Sequence, residues 1–263
     1  MNIKTIFVLF LSINSIKACF SQENRAYILN QRNDMITLGV GFGLSLYAYY
    51  KESNTLGLTT TARLELNKSD INGFDRFAIE NSSERAAQIS DLGLYTALAS
   101  SALLLAPKEG RNHFKELLVM GLQAVSLNYA ATYLSKTAFL RNRPYMYRSS
   151  SPFDQMDKEG RLSFISGHSS FSAVSMVYVY TAMGPFLKKP LQRNLLLAST
   201  IALPSAVAYL RVRAGKHFPT DVIAGMATGA VIGYLVPTLH ASKSKKLDYS
   251  FWGSGFKLTY HLY

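Results

Sequence analysis

At 263 residues and 48% hydrophobic content, the chain can bury one large core or two small ones without covalent staples. Its single cysteine, Cys19, excludes a disulfide framework and a cysteine-based metal site. A formal net charge of +12, with no block of five or more consecutive Lys or Arg, suits acidic partners such as anionic lipid or phosphorylated substrates.

The start of the chain reads as an export signal. Met1-Asn2-Ile3-Lys4 is a short basic opening, and residues 5–13 form an apolar run too short to span a bilayer comfortably. Cys19-Phe20-Ser21 is a small-residue exit ahead of polar Gln22-Glu23-Asn24. We assign residues 1–21 as a signal peptide cleaved after Ser21, with lipidation at Cys19 or an uncleaved anchor as alternatives. Export argues against a nucleic-acid partner.

Six apolar stretches follow, at 36–50, 92–106, 117–134, 171–186, 195–212 and 222–239. Ala, Leu, Met and Gly with few β-branched runs favour helix over strand. The expected fold class is therefore all-α: one bundle of about six core helices, occupying residues 22–246. Residues 52–90 form a polar link carrying Asp70, Asp75, Glu80 and Glu84, in which 56–67 reads as a short hairpin or plain loop. The tail, 247–263, alternates apolar and polar residues around Gly253-Ser254-Gly255 and reads as a short β-hairpin.

The stretches are about as long as the shortest membrane spans, about 17 residues, and nearly free of charge. The links after the second and fourth stretches are basic (Lys108, Arg111, Lys115; Lys188, Lys189, Arg193), as is the segment after the sixth (Lys243, Lys245, Lys246). In a six-span bundle these lie on one side, which the positive-inside rule makes cytoplasmic. The expectation is an inner-membrane bundle whose other links face the periplasm, with a soluble periplasmic bundle as alternative. A cleaved signal conflicts with this parity, because it leaves the mature N-terminus outside.

Those other links hold three polar blocks. The first is Lys136, six residues, then Arg143-Pro144, at the end of the third stretch. Arginine makes bidentate bonds to phosphate while lysine acts as a point charge. The second, Ser166-Gly167-His168, opens the fourth stretch. Ser166 suits an N-cap, Gly167 admits close approach of an anion to backbone, and His168 stands in the first turn as a general acid. The third runs from Arg211 through His217 to Asp221. Asp221 can accept a hydrogen bond from one imidazole nitrogen of His217 and leave the other free to attack phosphorus, while Arg211 binds the phosphoryl oxygens. A metal half-site is the other reading of a His–Asp pair, but no HExxH or Cys/His cluster accompanies it.

In order and spacing, K-x6-R-P, S-G-H and R-x5-H-x3-D resemble the type 2 phosphatidic acid phosphatase (PAP2) superfamily over about residues 90–240. That superfamily also includes bacterial non-specific acid phosphatases and vanadium haloperoxidases. The resemblance implies that His217 is a nucleophile forming a phosphohistidine, oriented by Asp221, with His168 as general acid. Lys136, Arg143, Arg211, Ser166 and Gly167 then bind the phosphate. It also implies no metal and no other cofactor, and a phosphorylated lipid or small phosphate ester as substrate. Two positions depart from the pattern: Ile165 replaces the usual proline before Ser-Gly-His, and Leu210 the usual serine before the third-block arginine. A haloperoxidase-like enzyme holding vanadate, or a non-catalytic lipid-phosphate-binding membrane protein, are the alternative functions.

Overall fold

The computed structural model describes residues 26–148, 158–242, 247–252 and 255–260. The expected signal peptide, Cys19 and the basic residues 243–246 lie outside the described residues. Six long helices form the body: α1 (Gln31–Ser53), α2 (Glu84–Ala99), α3 (Phe114–Phe139), α4 (Gly167–Met183), α5 (Pro190–Arg213) and α6 (Pro219–His240). Asn30, Ser83 and Ser166 cap α1, α2 and α4 by accepting from the backbone amide three residues on. Proline opens α5 and α6, where its missing N–H has no intrahelical partner to lose.

Two expectations are corrected. The second helix begins at Glu84, well before the apolar stretch at 92, and gives way after Ala99 to a 3-10 turn over Ser100–Leu105. Its first two turns carry Glu84, Arg85 and Gln88, so hydropathy does not register them although Ser83 caps them. The segment 56–67 contains no strand but a short helix, Thr60–Leu64, capped by Thr59. The C-terminal hairpin is present, with β1 (Leu247–Trp252) antiparallel to β2 (Gly255–Tyr260) and Phe251 opposite Phe256.

Helix α4 is central and packs against α2, α3, α5 and α6. Its closest neighbour is α6, and glycine makes that closeness possible. A Cβ on Gly225, Gly229 or Gly233 would lie 2.6 Å from Ser166 O, 2.2 Å from Ser170 O and 2.7 Å from Val174 O, respectively. Small residues every fourth position thus let the two backbones touch along parallel helices. The N-termini of α4 and α6 therefore share one end of the bundle with the C-termini of α3 and α5.

The opposite end holds the start of α1 and the end of α6. There Asp34 accepts from His240 Nε2 at 2.7 Å and from Gln123 Nε2 at 3.0 Å, and the Tyr27 hydroxyl donates to Ala182 O at 2.9 Å. The basic links at Lys108–Lys115 and Lys188–Arg193 lie at this end too, since they join α2 to α3 and α4 to α5.

Large apolar side chains point outward from the helices, among them Leu46 and Tyr49 on α1, Leu92 on α2, Ile201 on α5, and Val231 and Tyr234 on α6. Among the described residues, three segments, Phe114–Tyr147, Pro190–Arg213 and Pro219–His240, are long and apolar enough to cross a membrane. An apolar exterior of this extent is stable in hydrocarbon, and the bundle is membrane-embedded.

Candidate active site

Helix α3 stops at Leu140, a non-glycine residue in the left-handed region with φ 45°, and the reversal sends Arg141 and Arg143 back across the end of the bundle. Lys136, one turn earlier, is buried and donates from Nζ to Leu162 O. Arg143 donates from Nε to Glu159 O and from Nη2 to Glu159 Oε2, both at 2.7 Å.

Ser166 caps α4, and its amide donates to Asp221 O at 3.0 Å, which ties the Ser-Gly-His turn to the first turn of α6. A Cβ on Gly167 would meet only Thr132 Cγ2, at 3.8 Å, so packing against the described residues does not demand glycine there. His168 follows in the first turn and its Nε2 lies 2.7 Å from Asp91 Oδ1 on α2.

Arg211 sits in the last turn of α5, buried, with Nη1 donating to Ser90 Oγ at 3.3 Å and lying 3.5 Å from Asp91 Oδ1. Its Nε has no hydrogen-bond partner among the described residues. The loop that follows turns at Gly215, with φ 65°, where a Cβ would sit 2.0 Å from Asn81 O. Asn81 Nδ2 donates to Val212 O at 3.0 Å, and the amide of Ser83 to Arg213 O at 3.1 Å. The polar link before α2 is thereby the mould for the loop that carries His217.

His217 itself is 1% exposed. Its Nδ1 stands 3.6 Å from Asp221 Oδ2, within ion-pair reach but beyond hydrogen-bond length, and has no hydrogen-bond partner among the described residues. Asp221 spends its oxygens elsewhere. Oδ2 accepts from the Phe218 amide at 2.9 Å and from Ser163 Oγ at 2.5 Å, and Oδ1 accepts from Arg141 Nη1 at 2.5 Å. Arg141 also donates from Nη2 to Asp75 Oδ2 at 2.8 Å and lies over the Phe218 ring at 4.4 Å. Asp75 is wholly buried and accepts further from the Thr220 amide and hydroxyl and from Asn72 Nδ2. Burial alone would raise the Asp75 carboxyl, but these bonds from Thr220, Arg141 and Asn72 outweigh it and hold it below the usual range.

The eight residues singled out in the sequence all lie at this one end. Burial first, then the charges of Arg143, Lys136, Arg211 and His168, push His217 well below the ordinary histidine value. Its imidazole is therefore neutral beside cationic side chains. His168 is lowered to about 4, by burial and then Arg211, against the opposing effect of Asp91. Asp91, Asp75, Arg141, Ser163 and Glu159 complete the site and belong to none of the three blocks as chemical positions. Asp91 left one trace in the sequence, as a lone acid at the edge of an apolar stretch. Among the described residues no group of three or more His, Cys, Asp or Glu is placed to hold a metal ion.

Residues 117–245 match the PAP2 superfamily. Over 106 residues the chain is 37% identical to phospholipid phosphatase 1 of Rattus norvegicus, covering 36% of this chain and 38% of the relative. Over 82 residues it is 42% identical to phospholipid phosphatase 1 of Mus musculus, covering 30% of this chain and 29% of the relative. The chain thus spans less than half the length of these curated relatives. A solved structure, described as the first transmembrane PAP2 type phosphatidylglycerolphosphate phosphatase from Bacillus subtilis, overlaps 89% of this chain and 92% of its own at 18% identity and a TM-score of 0.42. All three blocks fall inside the matched residues, and over them the chain is similar to the PAP2 superfamily.

Proposed function

We propose that this protein is a metal-independent phosphatase that hydrolyses a phosphate monoester or pyrophosphate of a lipid through a phosphohistidine at His217. One observation carries the reading: a buried, neutral His217 beside Lys136, Arg143 and Arg211. A phosphoryl group entering there meets three cations that replace its counterions, and charge that builds on its oxygens in the transition state stays matched. His217 attacks phosphorus as the bond to the leaving oxygen breaks, and His168 gives that oxygen its proton. Water then attacks the phosphohistidine, His168 takes the water's proton, and phosphate leaves with His217 restored. Asp221, fixed by Arg141, Ser163 and the Phe218 amide, presents a carboxylate toward His217 that supports positive charge on the ring once Nδ1 closes the 3.6 Å gap.

The lipid substrate is supported by the apolar outer surface and by the phospholipid phosphatases the chain resembles. The site end faces the periplasm in this reading and the end with Lys108 and Lys189 the cytoplasm, in the inner membrane. Residues 1–21 are the export signal.

Rapid quench of purified protein with labelled lipid phosphate tests the chemistry. An acid-labile, base-stable adduct on His217 is expected, absent in a folded His217→Ala variant that has lost nearly all turnover. Turnover is expected to persist in excess EDTA, because Lys136, Arg143 and Arg211 supply the positive charge. Full activity of His217→Ala, or loss on chelation reversed by magnesium or zinc, would overturn the mechanism.

A further inference from the structure

We propose that Asp91 is the positioning residue of the general acid: from α2 it holds Nε2 of His168, favours the protonated ring against the cations around it, and aims the imidazole at the leaving oxygen. The proposal rests on the phosphatase reading above and adds a residue that lies outside the three blocks.

Two consecutive residues of α2 touch the site. Asp91 Oδ1 is 2.7 Å from His168 Nε2 and 3.5 Å from Arg211 Nη1, while Ser90 Oγ accepts from the same Nη1 at 3.3 Å. The Asp91 side chain is 49% exposed, so packing does not require it, and an exposed ion pair contributes little to folding. Its contacts have a chemical meaning instead.

The groups around His168 are Arg211 from α5, Arg143 from the turn after α3, His217 from the loop before α6, and Asp91 from α2. Burial, Arg211 and Arg143 each favour the neutral imidazole, which has no proton to spare for a leaving group. Asp91 opposes all three by hydrogen bond and by charge. With Nε2–H held by the carboxylate, the proton passed on is the one at Nδ1. As the phosphorus–nitrogen bond to His217 forms and the phosphorus–oxygen bond breaks, the oxygen keeps the electron pair and takes that proton. His168 is left neutral with Nε2–H still on Asp91, ready to accept a proton from water at Nδ1.

The same negative charge beside Arg211 opposes entry of a phosphate, and this gives the proposal a distinctive signature. In Asp91→Asn, kcat is expected to fall by about ten- to a hundredfold. KM and the inhibition constant of inorganic phosphate are not expected to rise. The alkaline limb of the kcat profile is expected to move down by about one pH unit or more, since removing an opposite charge lowers the imidazole pKa. Asp91→Glu, which keeps the charge, should retain the wild-type limb. An unchanged limb in Asp91→Asn, or a loss expressed only as raised KM, would overturn the assignment. NMR titration of the His168 ring in wild type and Asp91→Asn reads the same shift without turnover, and equal titration in both would also overturn it. Wild-type protein that turns over no phosphate substrate would sink the phosphatase reading, while the titration still decides the role of Asp91.

Discussion

Arg141 lies between two carboxylates that water does not reach, Asp75 from the polar link and Asp221 from the third block. Its planar fork bonds one with each Nη, and Phe218 covers its face. Removing it leaves two buried charges without their cation, so Arg141→Ala should destabilise the fold by about 3–5 kcal/mol, measurable as a fall in thermal midpoint in detergent. Arg141→Lys keeps the charge but not the fork, and an intermediate loss is expected. The two site histidines set a second residue-scale expectation. Both have folded values below the unfolded one, so between about 6.5 and about 4 the unfolded chain binds protons that the folded chain refuses. Their contribution to stability is complete above about 6.5 and is lost as the pH falls toward about 4. Unfolding midpoints measured across this window should decline toward acid, and His168→Gln should flatten the decline.

The α4–α6 contact is an element-scale device. Gly229 faces Ser170 O so closely that an added Cβ would sit 2.2 Å from it, against backbone that cannot swing aside as a side chain can. Gly229→Ala should therefore push the helices apart and cost about 1–3 kcal/mol of stability. The functional effect follows from geometry. Ser166 and His168 start α4, Asp221 starts α6, and the bond from Ser166 N to Asp221 O holds the two starts in register. A separated pair should show lower kcat, although residue 229 lies two turns beyond Asp221 along α6. Gly184→Ala, with nothing within 4 Å of the added Cβ, serves as the control and should change neither stability nor rate.

At the scale of the whole molecule, the site and the basic links occupy opposite ends of an apolar bundle. The length of α6 puts about 30 Å between them, close to the thickness of a bilayer core. Leu64, exposed beside the site end, and Lys189, exposed at the other, report the orientation. Single cysteines at these positions in a Cys19→Ser background should react with an impermeant thiol reagent in whole cells at 64 and not at 189. Labelling at both would mean a soluble periplasmic bundle, and labelling at 189 alone a cytoplasmic site. Tyr27 and the start of α1 lie at the same end as Lys189, the end that the positive-inside rule makes cytoplasmic, whereas a cleaved signal peptide would leave the N-terminus on the other side.

Local chemistry was enough to reveal the six helices, the C-terminal hairpin and the three blocks. Long apolar stretches, capping serines, helix-opening prolines and the spacing from Lys136 to Arg143 and from Arg211 to Asp221 act through neighbours in the chain. The polar link of 52–90 was illegible, because its parts have meaning only against distant partners. Asn81 moulds the turn at Gly215, Asp75 holds Arg141 and Thr220, and just past the link Asp91 meets His168, each across dozens of residues. The same holds for the pairing of Asp221, which sequence spacing directs to His217 and folding shares among Arg141, Ser163 and the Phe218 amide. A carboxylate four residues from an imidazole can reach it, but which donors come nearer depends on how the ends of α3, α4 and α6 meet, and that is decided by packing.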